Sequence, residues 1–537
     1  SGAVARVAPA AAIALLAACT PAPPNASAGP SPLGIASRDA VVRVGSFAVV
    51  RAVAESGNRA FVVGDGGLAL YDRLSGRWLA PFALPLAERG QPAGRVLAAT
   101  NLIGDALWVA GGGRAFVVNA SLRATFTTPF IGAPRAMRVE RGGANAYVLA
   151  DQWWQIGTTG SARPVGANEL PPREQLADAA DIADPAVRRA IDDPLLTRDA
   201  SLRAWPVLAA ARGATSSDVW LGTAGGGVFH VDPDFHRSEQ LPFGLQLGDV
   251  RALARTADGV VVAEGVAPWN VGALQSAVTE GSDDLARWRW YALADQVGEI
   301  RSIALRARTL CVAGPSGAGM IELPTSGASS LPAAMVHAEG APSGVVVASR
   351  DGCVVGTMSG VTVLPWGVGG IRRSEQLSPV YALATSGDTV WAGTRDGLVT
   401  LVGGHVVGVT RPFPAGSEIV AVATVGQGLA VASPDQVAIV DGAATERLTI
   451  PLGAVGRVTA LAADERGLWI GGSNGALAVS LPSHASAVVS LDHVDATQLT
   501  PPGGREVHAI VLAPGVAWVG TAAGLVRVRR GDDGLPR

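Results

Sequence analysis

The amino-acid sequence predicts an all-β fold of many repeated four-stranded units, and three observations carry that expectation. An aromatic residue followed by Gly-Thr and a glycine turn, seen in full at Asp218-Val-Trp220-Leu-Gly222-Thr223-Ala-Gly225-Gly226-Gly227-Val-Phe229, returns along the 537-residue chain at a spacing of roughly 40 residues. The chain is rich in turn formers, with Gly 68 and Pro 35, and only 16% of it is charged, against a usual share of about a quarter. Around each motif, apolar and small residues alternate over short stretches, as strands buried on both faces require. Four short strands per unit of roughly 40 to 45 residues are the mark of a β-propeller.

The first residues have another character. Arg6 precedes an apolar run from Val7 to Ala18 that ends at Cys19, too short to span as a membrane helix and built like a secretory signal. Leu16-Ala17-Ala18-Cys19 resembles the lipobox of bacterial lipoproteins. That resemblance implies an acylated Cys19 as mature N-terminus and a lipid anchor in the cell envelope. Thr20 is not the Asp associated with inner-membrane retention, so an outer-membrane location is favoured if the host is diderm. Residues 20–38, with Pro21, Pro23, Pro24, Pro30 and Pro32 among Ala, Ser and Gly, read as a solvated tether.

Eleven second-strand anchors can be placed, at Phe61, Trp108, Tyr147, Trp220, Val261, Val312, Val354, Trp391, Ala430, Trp469 and Trp518. In Val390-Trp391-Ala392-Gly393-Thr394-Arg395-Asp396-Gly397 the logic of the unit is plain. Trp391 fills the wedge between neighbouring sheets, Gly393 leaves room where sheets crowd, and Asp396-Gly397 turns the hairpin. Eleven units exceed the usual four to eight of one propeller, so two propellers are expected, over 39–300 and 301–530 with a tail at 531–537; the alternative is one large ring. Leu525 to Val528 is a third strand without a fourth. The N-terminal strand Ala40 to Val44 should complete that last blade.

Trp220-Leu-Gly222-Thr223-x-x-Gly226-Gly227, Trp391-Ala-Gly393-Thr394-x-x-Gly397-Leu398 and Trp518-Val-Gly520-Thr521-x-x-Gly524-Leu525 resemble the repeats of two-component regulator propellers, the extracytoplasmic sensory regions of bacterial hybrid histidine kinases. The resemblance covers most of residues 40–530 and implies a fold far more than a function. Between Tyr147 and Trp220 the rhythm breaks at an insertion, 169–205. Its Pro172 to Ala180 and Pro185 to Asp192 read as short helices opened by proline. Propeller insertions project from one face, so Arg173, Glu174, Arg188, Arg189 and Trp205 are the candidate binding residues.

The remaining chemistry is sparse. His230-Val-Asp232-Pro-Asp234 has ligand-like alternation but reads better as a hairpin turn than as a metal site. Cys311 and Cys353 each precede Val-x-Gly and read as two buried thiols at equivalent places, since packed sheets stand about 10 Å apart. No Gly-x-Ser-x-Gly elbow or phosphate-binding loop in strand-to-helix context occurs, so no catalytic residue, metal or cofactor is assigned and the chain is read as a non-enzyme. All 42 basic residues are Arg, and the net charge of -3 offers no field for nucleic acid. The leading expectation is a lipid-anchored interaction scaffold with an envelope protein as partner. The alternative is a sensory or carbohydrate-binding propeller for a small ligand or glycan, and a propeller lyase or quinone-dependent dehydrogenase comes last.

Overall fold

A computed structural model describes residues 31–35 and 41–537, apart from 83, 85–95, 101–105, 112, 120–123, 130–131, 179–183, 201, 214–216, 267–275, 294–297, 316, 325–329, 332, 337–341, 368–372, 442–443, 449–451, 482–485 and 490–504. Cys19 and the leader lie outside the described residues. Among the described residues, eleven sheets of four or five strands follow one another, antiparallel except where Ser330–Leu331 pairs parallel with Trp288–Leu293. Numbered 1 to 11, their first strands are Val50–Ser56, Leu97–Thr100, Ala136–Glu140, Val207–Arg212, Gly248–Arg255, Ser302–Arg306, Pro342–Ala348, Val380–Ser386, Ala421–Val425, Val458–Ala463 and Val507–Ala513. Every predicted anchor lies on the second strand of its sheet. Val41–Val44 pairs with Gly524–Arg529, from Val41 opposite Val528 to Val44 opposite Leu525, and so supplies the fourth strand of sheet 11.

The motif earns its recurrence through three separate contacts. Trp108, Trp220, Trp469 and Trp518 are fully buried against the neighbouring sheet. The threonine staples the turn that follows: Thr223, Thr394 and Thr521 donate from Oγ1 to the carbonyls of Gly227, Gly397 and Gly524 at 2.8, 2.8 and 2.9 Å, and accept from the N–H of Gly226, Asp396 and Ala523. The glycine is a socket. A Cβ on Gly471 of sheet 10 would stand 2.5 Å from Val507 Cγ1 of sheet 11, so the first-strand valine of the next sheet occupies the space a side chain would need.

The same socket reveals the order of packing. Gly222 of sheet 4 receives Val50 of sheet 1, with 2.5 Å to a built Cβ, and Gly520 of sheet 11 receives Val250 of sheet 5, with 2.3 Å. The first strands agree, since that of sheet 4 packs on that of sheet 1, and that of sheet 11 on that of sheet 5, with 5 to 11 in succession between. The sheets therefore form two sets, 1 to 4 and 5 to 11. Two propellers were expected to divide near residue 300, yet the chain leaves the first set between Leu241 and Gly248, so sheet 5 belongs to the second. The repeats of the two sets share one grammar, and nothing local marks which sheet receives which valine.

Two crossovers join the sets. Phe47 N–H donates to Leu245 O at 3.0 Å, Leu245 N–H to Gly45 O at 3.1 Å, and Ser46 Oγ to Gln246 O at 2.8 Å. Around them Phe243 packs on Phe47, Trp78 and Trp288 with ring centroids 4.8, 4.7 and 5.8 Å away. Each seam where a last sheet meets a first carries the same device, an indole bonded to a carboxylate that an arginine holds. Trp220 Nε1 donates to the carboxylate of Glu55, which Arg73 pairs at 2.6 Å. Trp518 Nε1 donates to Asp283 at 3.0 Å, and Arg255 grips both Asp283 oxygens at 2.7 Å.

Three expectations need correction. Cys311 and Cys353 form a disulfide with 5.7 Å between Cα atoms. The reason is register: Cys311, not Val312, is the third residue of its strand Thr309–Gly314 and faces sheet 7, whereas Cys353 is second in Gly352–Thr357 and faces sheet 6. A shift of one residue exchanges the faces of a strand, and Ala313, Ala318 and Ala348 in the same gap are small enough for close approach. Within the tether, Ser31–Ile35 forms an outermost strand on Ala124–Pro129 of sheet 2, an edge position where Pro32 is tolerated. In the insertion, Pro185–Asp192 is helical with Asp184 as its cap, but Arg173–Gln175 is a single 3-10 turn leading into Leu176–Asp178, which pairs with Ala136–Glu140 on the inner side of sheet 3. The tail also packs, with Trp469 Nε1 donating to Gly534 O at 2.9 Å.

Gly520→Ala is expected to lose about 1–3 kcal/mol of stability by overpacking. Gly408→Ala, where an added Cβ meets nothing within 4 Å, should change little; denaturant midpoints compare the two. Cys353→Ser should cost about 2–4 kcal/mol, and peptide mapping without reductant should recover the Cys311–Cys353 link.

Candidate functional site: a charged collar on the first strands

The first-strand residue that faces the neighbouring sheet is apolar and buried in sheet after sheet, as at Val250, Ile300, Val380, Ile419, Val458 and Val507, and it meets a glycine at Gly222, Gly393, Gly471 and Gly520. Its neighbours on either side have the opposite orientation, because strand side chains alternate. In sheets 5, 6 and 8 to 11 at least one of those neighbours is polar: Asp249 and Arg251, Glu299 and Arg301, Tyr381, Glu418, Arg457 and Thr459, Glu506 and His508. Register shifts follow Val250, Val380, Val458 and Val507. Arg251, Tyr381, Thr459 and His508 are thus the extra residues of β-bulges, which re-aim side chains. They form a collar at the inner edge of the second set.

Opposite charges meet within it. Arg251 Nη2 lies 2.6 Å from Asp249 Oδ2, Arg301 Nε 3.1 Å from Glu299 Oε1, and Tyr381 Oη donates to Glu418 Oε1 at 3.4 Å. Two members also tie sheets together. Thr459 Oγ1 donates to Val507 O at 2.5 Å, and His508 Nδ1 donates to Val250 O at 2.9 Å, across the seam between sheets 11 and 5. Asp249, only 1% exposed, stands 3.5 Å from the same His508 nitrogen, and Glu506 stands 4.0 Å from Nε2.

Burial alone would push the His508 imidazole down, but the hydrogen bonds to Asp249 and Val250 and the Asp249 charge outweigh it, so its pKa rises despite Arg251. Burial and then Glu418 raise the Tyr381 phenol, which keeps it a donor. Beside the seam, Glu264 takes the place that threonine holds in other sheets. Its fully buried carboxyl is pushed up by desolvation, against hydrogen bonds from Thr279 Oγ1 at 2.5 Å, Leu247 N–H at 2.6 Å and Gly248 N–H at 3.1 Å. It anchors the chain where the second crossover enters sheet 5. The collar offers fixed donors, acceptors and charges of both signs, a surface suited to binding by exchange of ion-pair partners. Among the described residues, the polar partners of His508 are a carbonyl and two carboxylates.

The candidate residues of the insertion sit on three separate pieces. Arg173 and Glu174 are exposed on the 3-10 turn, and Arg188 and Arg189 are exposed on the helix, where Arg189 pairs with Asp234 at 2.8 Å. Trp205 lies over Gly225 and Gly226, its indole bonded to Asp199 at 2.9 Å and Arg203 5.2 Å above it. Asp232 accepts from the N–H of Asp234 and Phe235, the hairpin turn that the sequence implies, while His230 stacks on Trp220 at 4.6 Å. The collar escaped sequence reading. Its signal was present as acid, Val or Ile, base in Asp249-Val250-Arg251, Glu299-Ile300-Arg301 and Glu506-Val507-His508.

No family model matches the chain, and no curated protein does. Solved structures to which it is similar include PorZ, a bacterial surface component of the type-IX secretion system of Porphyromonas gingivalis, at 13% identity and TM-score 0.40, over 90% of this chain and 69% of that one. The extracellular domain of the putative one-component system BT4673 from B. thetaiotaomicron is similar at 11% identity and TM-score 0.37 over the same shares. The WD40 propeller domain of Doa1 covers 52% of this chain and 91% of its own, at 14% identity and TM-score 0.40. At these values each is a likeness of fold.

Because the folded His508 pKa is raised, its stabilising effect is complete below the unfolded value of about 6.5 and fades as pH rises through the folded value. His508→Gln should therefore lower the thermal midpoint more at about pH 5.5 than at about pH 9. An equal loss at both would show that the imidazole charge does not hold the seam.

Proposed function

We propose that this chain is a lipid-anchored β-propeller of the cell envelope that serves as an interaction scaffold, presenting the collar of sheets 5 to 11 to a protein partner. The observation that carries the reading is the collar itself: paired charges at the inner edge of a frame whose sheets are locked by glycine sockets and seam triads. A rigid scaffold with surface charges of both signs favours specific docking of a complementary polar surface, because little ordering is needed on binding. The lipobox resemblance at Cys19 supports the anchor. Non-catalytic action is the simpler reading of His508, which has carboxylates and a carbonyl as partners. Sugar stacking on the repeat tryptophans is disfavoured, since Trp108, Trp220, Trp469 and Trp518 are wholly buried.

Arg301→Glu combined with Arg457→Glu, both at exposed collar positions, should abolish a recurrent cross-link formed in native membranes, read by mass spectrometry, while leaving the thermal midpoint within a few degrees. A partner retained by the double variant places docking elsewhere. Cys19→Ser should release the protein from the membrane fraction and remove acyl label; continued membrane association with label intact contradicts the anchor.

A further inference from the structure

We infer that the gap between sheets 7 and 8 is a binding site for a free apolar α-amino acid, taken up side chain first. In this gap the anchor is Val354 where Trp391, Trp469 and Trp518 fill theirs. Sheet 9 also has a small anchor, Ala430, but Leu468, Ile470 and Leu477 of sheet 10 close on it. Among the described residues, sheet 8 answers Val354 with aliphatic side chains, Val380, Leu383, Val390, Ala392, Val399 and Leu401, and with no aromatic ring. What remains is a cavity of about 110 Å³ whose inner wall is Val354, Val361, Val363, Val390 and Leu401. An apolar cavity of about 150 Å³ accepts benzene, so this one suits a branched four-carbon side chain.

The mouth is charged with both signs. Arg350 and Asp351 on one hairpin turn and Asp388 on the next line it, with Arg350 Nη1 3.2 Å from Asp388 Oδ2. Both side chains are mainly exposed, at 72% and 55%, so the pair exchanges partners at little cost. A zwitterion matches it, with the ligand carboxylate on the Arg350 guanidinium and the ligand ammonium on Asp388. The turn that carries Arg350 is fixed from behind. Arg306 Nη1 donates to Ser349 O at 2.9 Å and Arg350 O at 2.6 Å, and Trp366 Nε1 donates to the same two carbonyls at 3.2 and 3.0 Å, with the Arg306 guanidinium 5.3 Å from the Trp366 ring. These turns join first to second strands, whereas the collar begins the first strands. The site therefore opens on the opposite face from the collar and does not depend on the scaffold reading.

Isothermal titration calorimetry of the purified protein with L-leucine tests the assignment. Saturable one-to-one binding is expected, weakened at least tenfold by Arg350→Ala and by Val354→Trp, the latter with an unchanged or higher thermal midpoint because it restores the anchor of the other sheets. 4-Methylpentanoate, which lacks the ammonium, and glycine, which lacks the side chain, should each bind at least tenfold more weakly than leucine. Absence of saturable heat up to about 10 mM leucine, or affinity unchanged in Val354→Trp, overturns the site. If Val354→Trp does not fold, Arg350→Ala decides, and full leucine affinity in that variant overturns the proposal. Equal affinity for 4-methylpentanoate overturns the role of Asp388.

Discussion

The architecture turns on one contact, a first-strand valine or isoleucine seated against a glycine of the facing sheet, as at Gly222, Gly393, Gly471 and Gly520. Where sheets are adjacent in sequence, as Gly471 and Val507 are, short connections would bring them close in any case. Where Gly222 meets Val50 and Gly520 meets Val250, the partners come from distant parts of the chain, and closing such long loops costs entropy that grows slowly with length. Both of those seams, and no arbitrary pair, carry the indole, carboxylate and arginine triad. The Glu55 carboxylate is buried and bonded on two sides, so it is stable only when both partners are in place, and the half-buried Asp283 ties its seam in the same way. The disulfide between Cys311 and Cys353 adds a covalent tie inside the second set.

Interleaving gives the two sets a shared fate. Val41–Val44 belongs to sheet 11, yet the next residues run through the crossover into sheet 1, and the chain returns beside the same crossover before sheet 5. The aromatic cluster of Phe47, Trp78, Phe243 and Trp288 sits where both passages pair, which converts two repeat arrays into one interlocked core. Edges are treated in the same spirit. Val41–Val44 covers the last sheet and Ser31–Ile35 extends sheet 2, so terminal segments shield strands that would otherwise invite pairing with other chains.

Function is sought where a position is free of this structural duty. The tryptophan, glycine and threonine of the repeat are each consumed by packing or turn bonds, and the glycine-rich Gly225-Gly226-Gly227 stretch is covered by Trp205 and Trp290 and bonded to Thr223, Gln240 and Ala48. The residues flanking the socket valine escape that duty because alternation turns them away from the wedge. A missing tryptophan has the opposite effect, since at Val354 the repeat leaves space instead of polar groups. The two kinds of exception lie on opposite faces and suit different partners.

The sequence by itself determined the all-β repeat, the count of eleven sheets and the return of the N-terminal strand to the last of them, because hydrophobic alternation, turn glycines and the Trp-x-Gly-Thr grammar are local. It also placed the helix at Pro185–Asp192, where a proline follows a capping Asp184. Tertiary structure alone decided that sheets 1 to 4 part from 5 to 11, for Gly222, Gly471 and Gly520 offer the same socket and any valine of the right register fits it. It decided the Cys311–Cys353 bond, which hangs on a single residue of register and so on which face of a strand meets which neighbour. The collar lay between these cases. Its acid-apolar-base triplets were written in the chain, but only the convergence of first strands from sheets remote in sequence turns Asp249, Arg251, Glu506 and His508 into neighbours.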